Sequence, residues 1–125
     1  MGTKVSILYL EDDPIGIRLV SKKITSAFPD AVLNSVRRKE EFIKSIEMEE
    51  FDCIIVDYTL PDINGIEALQ LIKETVPITP AIVFTGSVGE EKAVECIKAG
   101  AFDYILKTHP ERLIPAIHSA LQHKH

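Results

Sequence analysis

Apolar runs alternate with amphipathic stretches along the whole chain, and this alternation predicts its secondary structure. Five runs have the length and composition of β-strands, and three of them are nearly continuously apolar, which is typical of strands covered on both faces. The runs are VSILYL (5–10), AVLNSV (31–36), CIIV (53–56), AIVF (81–84) and FDYIL (102–106). Because the second run also contains Asn34 and Ser35, we place it at an edge of the sheet.

Five helical patterns follow these strands, each with apolar residues at the spacing that puts them on one face of a helix. The faces comprise Ile17, Val20, Ile24, Ala27 and Phe28; Phe42, Ile43 and Ile46; Ile66, Leu69 and Ile72; Ala93, Val94 and Ile97; and Leu113, Ile114, Ile117, Ala120 and Leu121. A proline inside a helix breaks it. Pro110 and Pro115 therefore predict a short turn over residues 110–112 and a last helix that starts at about Pro115.

Other residues mark the helix ends. Pro14 is expected to open the first helix, and Gly100 to follow the fourth, because these are the positions that proline and glycine favour. Asn64 is followed three residues later by Glu67, which predicts a capping box at the start of the third helix.

Five strand–helix units in one chain predict an α/β fold with a doubly wound parallel sheet and right-handed crossovers. The 125 residues have the size of one domain, which we place at residues 1–125. Sheets of this kind bind ligands beyond the carboxyl ends of their strands. The residues that directly follow the strands are therefore the candidates for function.

Composition and charge argue against several classes of function. The hydrophobic content of 46% and the charged content of 26% are those of a soluble globular protein. The formal net charge of −5 argues against direct binding to nucleic acid, which requires a basic surface. No apolar run approaches the roughly 20 residues that cross a bilayer. Cys53 and Cys96 have no metal-binding spacing, and we interpret them as reduced thiols of a cytoplasmic protein.

Acidic, hydroxyl and basic side chains follow four of the strands. They are Glu11, Asp12 and Asp13 after the first, Asp57 and Thr59 after the third, Thr85 and Ser87 after the fourth, and Lys107 after the fifth. Gly86, between Thr85 and Ser87, has no side chain that could block the approach to Asp57. A parallel sheet brings these groups to one edge. Clustered carboxylates repel one another, and Mg²⁺ relieves that repulsion while accepting phosphate oxygens as further ligands. A carboxylate can also act as a nucleophile and form an aspartyl phosphate.

The segments ILYLEDDP, IIVDYTLPDINGIEAL, IVFTGS and AFDYILK, in this order, resemble the receiver domain of chemotaxis-type two-component response regulators. The resemblance covers essentially the whole chain. It implies a flavodoxin-like (βα)5 three-layer sandwich with the sheet order 2-1-3-4-5. It also implies that a histidine kinase or phosphotransfer protein passes a phosphoryl group from a phosphohistidine to Asp57, with Mg²⁺ or Mn²⁺ as the cofactor.

The same resemblance assigns a metal site. It implies that Asp57 and Asp12 bind the ion directly, that the backbone carbonyl of Thr59 is a third ligand, and that Glu11 acts mainly through water. Asp13 is expected to be a solvated residue at the start of the first helix, where the helix dipole favours an acidic side chain. Asp62 is expected to be a turn residue.

The resemblance further implies that Thr85 and Lys107 contact the phosphoryl group, and that Thr85 and Tyr104 change position when the domain switches. It also implies that Thr59 and Ser87 lie where side chains tune hydrolysis of the phosphoryl group. The switch is expected to alter the face formed by the fourth helix, the fifth strand and the fifth helix. A downstream protein, or a second copy of the chain, would bind that face.

One position departs from the family pattern. The family usually has proline after the lysine, often in a cis peptide bond, whereas this chain has Thr108. A cis bond before a residue other than proline costs about 3 kcal/mol, so we expect either a trans bond or local strain here.

Two other functions that the fold could serve fit these residues less well than a receiver does. A phosphatase of the haloacid dehalogenase type needs an acidic residue at the position of Thr59, and a flavodoxin-like cofactor binder needs a phosphate-binding loop where this chain has Glu11 and Asp12. We therefore expect the chain not to be an enzyme but a phosphoacceptor domain, which assists only its own phosphorylation and dephosphorylation. Two alternatives stay open: a receiver that is part of a hybrid sensor kinase or longer regulator, and a degenerate receiver that only binds proteins.

Overall fold

The computed structural model describes residues 4–86 and 89–123 and shows strands and helices in strict alternation. The strands are β1 (Ser6–Leu10), β2 (Val32–Val36), β3 (Cys53–Val56), β4 (Ala81–Thr85) and β5 (Asp103–Leu106). The helices are α1 (Pro14–Ala27), α2 (Lys39–Met48), α3 (Gly65–Thr75), α4 (Glu90–Lys98) and α5 (Leu113–His123), and a 3₁₀ turn (Pro110–Arg112) precedes α5. Each strand begins and ends within a residue of its sequence-based prediction.

The strands form one parallel sheet in the order β2-β1-β3-β4-β5, as predicted. The prediction that β2 lies at an edge is confirmed. The register aligns Leu10 with Val56, so β1 and the central strand β3 end side by side. On the other side of the centre, Thr85 is aligned with Leu106 at the ends of β4 and β5. The carboxyl ends of four strands therefore share one edge of the sheet.

Helices cover both faces of the sheet and create two core layers. One layer lies against α2, α3 and α4, and the other against α1 and α5. Alternate residues of β3 enter opposite layers, with Ile54 and Val56 in the first and Cys53 and Ile55 in the second. All four are fully buried, which explains why the sequence of this strand is continuously apolar. Cys96 lies in the first layer, so the sheet separates it from Cys53.

Most of the predicted helix ends are confirmed. Pro14 opens α1, and the exposed Asp13 caps it by accepting a hydrogen bond from the Ile15 N–H at 3.1 Å. Gly100 follows α4 with φ 109°, a left-handed conformation that favours glycine. Asn64 caps α3 by accepting a hydrogen bond from the Glu67 N–H at 2.9 Å. The capping box is only half formed, because the Glu67 carboxylate pairs with Lys39 instead.

The predicted start of the last helix is wrong. The last helix begins at Leu113 and not at Pro115, because Pro115 falls in its first turn, where a backbone N–H has no partner within the helix. The turn over residues 110–112 is confirmed.

The sheet does not cover all of the apolar residues that predicted the helices. Val94 and Ile97 of α4 are 52% and 49% exposed, whereas Cys96 is fully buried, so a narrower face of α4 meets the sheet than the sequence suggests. Ala27, at the end of α1, is also exposed. Within the described ranges, no helix has both the length and the apolar character needed to span a bilayer.

Candidate functional site

Sheet hydrogen bonds continue one residue beyond the strands and fix the backbone of the candidate site. The Glu11 N–H donates to the Val36 carbonyl at 3.0 Å, and the Asp57 N–H donates to the Leu10 carbonyl at 3.1 Å. On the far side, the Lys107 N–H donates to the Thr85 carbonyl at 2.7 Å. Glu11, Asp57 and Lys107 therefore start from rigid positions on the sheet edge, although they are distant in the sequence.

The three side chains meet around the Lys107 ammonium group. Lys107 Nζ lies 3.1 Å from Asp57 Oδ2 and also contacts Glu11 Oε1. Asp57 is 7% exposed and Glu11 2%, so both carboxylates depend on this cation for compensation. Burial by itself lowers the pKa of Lys107, but the hydrogen bond to Glu11 and the charge of Asp57 outweigh it and raise that pKa above its ordinary value.

Four donors surround the Glu11 carboxylate. Its Oε2 atom accepts the backbone N–H groups of Asp12 at 3.1 Å and Asp13 at 3.2 Å. Its Oε1 atom accepts a hydrogen bond from Lys107 Nζ and a second one, at 3.2 Å, from the Tyr9 hydroxyl. Burial and the nearby charge of Glu11 raise the pKa of Tyr9 far above its ordinary value, so the hydroxyl keeps its proton and acts as the donor.

Asp12 is partly exposed at the same edge, and its backbone is held from the neighbouring strand. Arg37 Nη2 donates to the Asp12 carbonyl oxygen at 2.9 Å. Sequence reasoning missed this contact because it considered the ends of four strands and omitted β2, which Arg37 directly follows. The signal was available, since the rule that singles out strand ends applies to β2 as well.

The loop after β3 carries Thr59 and is closed by short contacts. The Thr59 N–H approaches Asp57 Oδ1 at 3.4 Å, and Thr59 pairs with Asn64 in an isolated antiparallel bridge. The Gly65 N–H donates to the Tyr58 carbonyl at 2.7 Å. A side chain at Gly65 would place its Cβ 2.9 Å from the Tyr58 ring, so only glycine permits this closure without displacement.

Asp62 lies in the bend of this loop, as predicted, and has a second contact that the sequence did not indicate. Both of its carboxylate oxygens accept the backbone N–H of Lys39, at 3.2 and 3.1 Å. Lys39 is the first residue of α2, so Asp62 caps that helix from a distant part of the chain. The contact ties the loop that carries Thr59 to α2.

The remaining predicted residues lie at or near the same edge. Thr85 ends β4, is 2% exposed and is hydrogen-bonded through its carbonyl to the Lys107 backbone. Tyr104 lies on β5 and packs against the core layer of α2, α3 and α4. Its hydroxyl is buried without a hydrogen-bond partner among the described residues. Burial raises the pKa of Tyr104. Ser87 lies outside the described residues.

The donor chemistry of this edge suits a magnesium ion that keeps part of its water shell. The described residues contain no group of three or more His, Cys, Asp or Glu side chains arranged as a metal site. Asp12 and Asp57 follow the ends of the adjacent strands β1 and β3 and carry hard carboxylate oxygens, and Thr59 follows in the loop after β3. Mg²⁺ binds proteins through one or two carboxylates plus water and phosphate oxygens, so a full protein cage is not required.

The peptide bond between Lys107 and Thr108 is trans, which is one of the two outcomes expected from the missing proline. The chain turns immediately afterwards, where the His109 N–H donates to the Leu106 carbonyl at 2.9 Å. Lys107 thus reaches Asp57 from a chain segment whose peptide bonds are all trans.

Comparisons with a family model and with individual known proteins point to the same family. Residues 7–118 match the family model described as the response regulator receiver domain. The nitrate/nitrite response regulator NarL of Escherichia coli K12 is 34% identical over 117 residues, which cover 92% of this chain and 54% of NarL. The chemotaxis protein CheY of Thermotoga maritima is 30% identical over 94% of this chain and 96% of its own length. The chain thus spans about half of NarL and nearly all of that CheY.

A solved structure shows the same fold at lower sequence identity. The receiver domain of a sensor histidine kinase from Pseudomonas aeruginosa PAO1 is 23% identical and superposes with a TM-score of 0.83. The alignment covers 96% of this chain and 99% of that domain, which has a magnesium ion coordinated in its active site cleft.

Proposed function

The chain belongs to the response regulator receiver domain family, and on that premise we propose that it accepts a phosphoryl group on Asp57 in a two-component phosphorelay. The observation that carries the proposal is the position of Asp57 at the end of the central strand, 3.1 Å from the Lys107 ammonium. A carboxylate with a positive charge beside it is suited to receive a phosphoryl group, because the charge offsets the negative phosphoryl oxygens.

In the proposed reaction, one Asp57 oxygen attacks the phosphorus atom of a phosphohistidine on a histidine kinase or phosphotransfer protein. The phosphorus–nitrogen bond breaks, its electron pair passes to the imidazole, and the imidazole takes up a proton. Lys107 then donates to a phosphoryl oxygen, and the Thr85 hydroxyl donates to another. A hydrogen bond from the Lys107 N–H to the Thr85 carbonyl holds the backbones of the two residues side by side.

The proposed metal site uses Asp12, Asp57 and the backbone carbonyl of Thr59, with Glu11 acting through water. A bound Mg²⁺ or Mn²⁺ would neutralise the charge that builds up on the phosphoryl oxygens. Asp62 supports the site indirectly, because it holds the loop of Thr59 against the start of α2.

The proposed output is a shift of the face formed by α4, β5 and α5. Tyr104 on β5 has a buried hydroxyl without a partner among the described residues, and such a group favours a second side-chain position that satisfies it. Val94 and Ile97 of α4 are exposed apolar residues that a downstream protein or a second copy of the chain could cover. To convert a mostly inactive population into a mostly active one, phosphorylation must favour the active state by about 5 kcal/mol. Hydrolysis, tuned from Thr59 and Ser87, would reset the domain.

The wider context is part of the same proposal. We infer a single cytoplasmic domain over residues 1–125 that assists only its own phosphorylation and dephosphorylation. A second candidate is a receiver within a longer regulator or sensor kinase. The observation that favours it is the coverage of NarL, of which this chain spans 54%.

The test is incubation with Mg²⁺ and acetyl phosphate, followed by measurement of the intact mass. We expect one phosphoryl adduct that hydroxylamine removes and that Asp57→Asn abolishes. Asp62→Asn is the matched control, because it removes an exposed charge in the same loop, keeps an oxygen that can accept the Lys39 N–H and should leave the adduct intact. A wild-type protein without an adduct, or an adduct that persists in Asp57→Asn, would contradict the proposal.

A further inference from the structure

The hydroxyl of Tyr9 is a polar group buried next to the proposed phosphoacceptor site. Tyr9 is in the middle of β1 and is fully buried in the core layer of α1 and α5. Phenylalanine would fill the same space without a polar atom to satisfy. A buried tyrosine hydroxyl requires a hydrogen-bond partner, and here that partner is Glu11 Oε1, at 3.2 Å.

The position of Glu11 in turn determines the position of Lys107. Glu11 Oε1, which accepts the Tyr9 hydroxyl, also contacts Lys107 Nζ. The opposite oxygen, Oε2, is held by the backbone N–H groups of Asp12 and Asp13. The carboxylate is thus fixed at both oxygens, and Tyr9 supplies the only uncharged side-chain donor among its described partners. A fixed acceptor restricts where a long, flexible lysine can place its ammonium group.

Tyr9 and Lys107 also line the same cavity. Tyr9, Lys107, Phe84 and Gly16 contribute to the wall of one cavity of about 180 Å³ between α1 and the end of β5. Lys107 is 29% exposed and has room to move on that side. Packing alone therefore does not hold the ammonium group beside Asp57, and the hydrogen bonds must do so.

We propose that Tyr9 is a positioning residue of the site: by holding Glu11 Oε1, its hydroxyl fixes the carboxylate that keeps Lys107 beside Asp57. The effect of Tyr9 on phosphoryl transfer rests on the function proposed above. The positioning itself is a property of the protein before any phosphodonor or metal is added. Tyr9→Phe is the direct probe, because it removes one oxygen atom and keeps the ring that fills the core.

The first experiment measures Lys107 in the metal-free protein by NMR relaxation of the lysine ε-methylene groups. In Tyr9→Phe the order parameter of Lys107 should fall, while that of the exposed Lys22 on α1 stays unchanged. Ile24→Val is the control for general loosening, because Ile24 is buried in the same core layer and has no polar group. An unchanged Lys107 in Tyr9→Phe, or an equal fall in Ile24→Val, would overturn the inference.

The second experiment compares phosphorylation rates with acetyl phosphate at saturating Mg²⁺. Loss of one hydrogen bond to the Glu11 carboxylate, which acts on Lys107 only indirectly, predicts that Tyr9→Phe is about threefold to tenfold slower than wild type, and that Ile24→Val keeps the wild-type rate. A wild-type rate in Tyr9→Phe would refute the role of Tyr9. If the wild type itself takes up no phosphoryl group, the proposed function fails, and the NMR experiment still decides the inference on Tyr9.

A double-mutant cycle shows whether Tyr9 acts through Glu11. Glu11→Gln keeps the shape of the side chain and weakens its hold on Lys107. If Tyr9 acts through Glu11, Tyr9→Phe should have little further effect on the Lys107 order parameter in the Glu11→Gln background. Fully additive effects of the two substitutions would contradict that route.

Discussion

Lys107→Met tests whether one cation stabilises the buried carboxylates of the site. The substitution keeps most of the side-chain volume and removes the charge that lies 3.1 Å from Asp57 Oδ2 and contacts Glu11. At an effective dielectric constant of about 20, two unit charges at that separation attract by about 5 kcal/mol. Desolvation offsets part of this attraction, and removing one partner of a buried pair usually costs about 3–5 kcal/mol. Because the Lys107 side chain is 29% exposed, we expect a loss of about 2–3 kcal/mol in the free energy of unfolding.

The assay is urea unfolding followed by circular dichroism at pH 7, with Lys22→Met as the control. Lys22 is exposed on α1, and its substitution should change the free energy of unfolding by less than about 0.5 kcal/mol. If Lys107→Met also stays within that limit, the ion pairs do not stabilise the folded site and the electrostatic reasoning is refuted.

The pH dependence gives a second measure of the same interaction. The pKa of Lys107 is raised above its ordinary value of 10.5, so the folded protein holds this proton more tightly than the unfolded chain does. The contribution of Lys107 is therefore complete below pH 10.5 and is lost as the pH rises through the folded-state pKa. The difference in stability between wild type and Lys107→Met should stay constant from about pH 7 to 9 and shrink only above that ordinary pKa. A difference that shrinks steadily from pH 7 to 9 would contradict the assignment.

Three further substitutions have defined outcomes in the same unfolding assay. Gly65→Ala places a Cβ 2.9 Å from the Tyr58 ring and should destabilise the protein by about 1–3 kcal/mol; an unaltered stability would show that the loop relaxes freely. Asp62→Ala removes the cap on the Lys39 N–H and should cost about 1 kcal/mol, whereas Asp62→Asn should retain most of it; equal losses would exclude capping. Tyr104→Phe removes a buried hydroxyl without a described partner and should leave stability unchanged or raise it by about 1 kcal/mol, and a clear loss would reveal a partner for that hydroxyl.

The strands were predictable because each leaves a local signal in the sequence. β3 is buried on both faces, so its four residues are all apolar, and its end is marked by Asp57. The convergence of Glu11, Asp57 and Lys107 followed from topology alone, since parallel strands end at one edge. The high energy of a cis bond without proline left a trans bond or local strain as the two expected outcomes before Thr108, and the bond is trans.

The contacts that the sequence did not reveal depend on how distant segments meet. Asp62 accepts the Lys39 N–H across 23 positions of the chain, and Arg37 reaches the Asp12 carbonyl across 25. Tyr9 appeared only as one more apolar strand residue, because the sequence does not show where its hydroxyl ends. Val94 is exposed although it belongs to the apolar pattern of α4, because helical periodicity indicates which residues align but not how wide the covered face is.

The most direct test of the central claim locates the phosphoryl group on the chain. Borohydride reduces an aspartyl phosphate to homoserine, which tandem mass spectrometry of the peptides can place at a single position. After treatment with acetyl phosphate and Mg²⁺, we predict homoserine at position 57 and wild-type aspartate at positions 12, 13 and 62. Homoserine at any of those other positions, or none at position 57 under conditions in which CheY of Thermotoga maritima is labelled, would contradict the assignment of Asp57 as the phosphoacceptor.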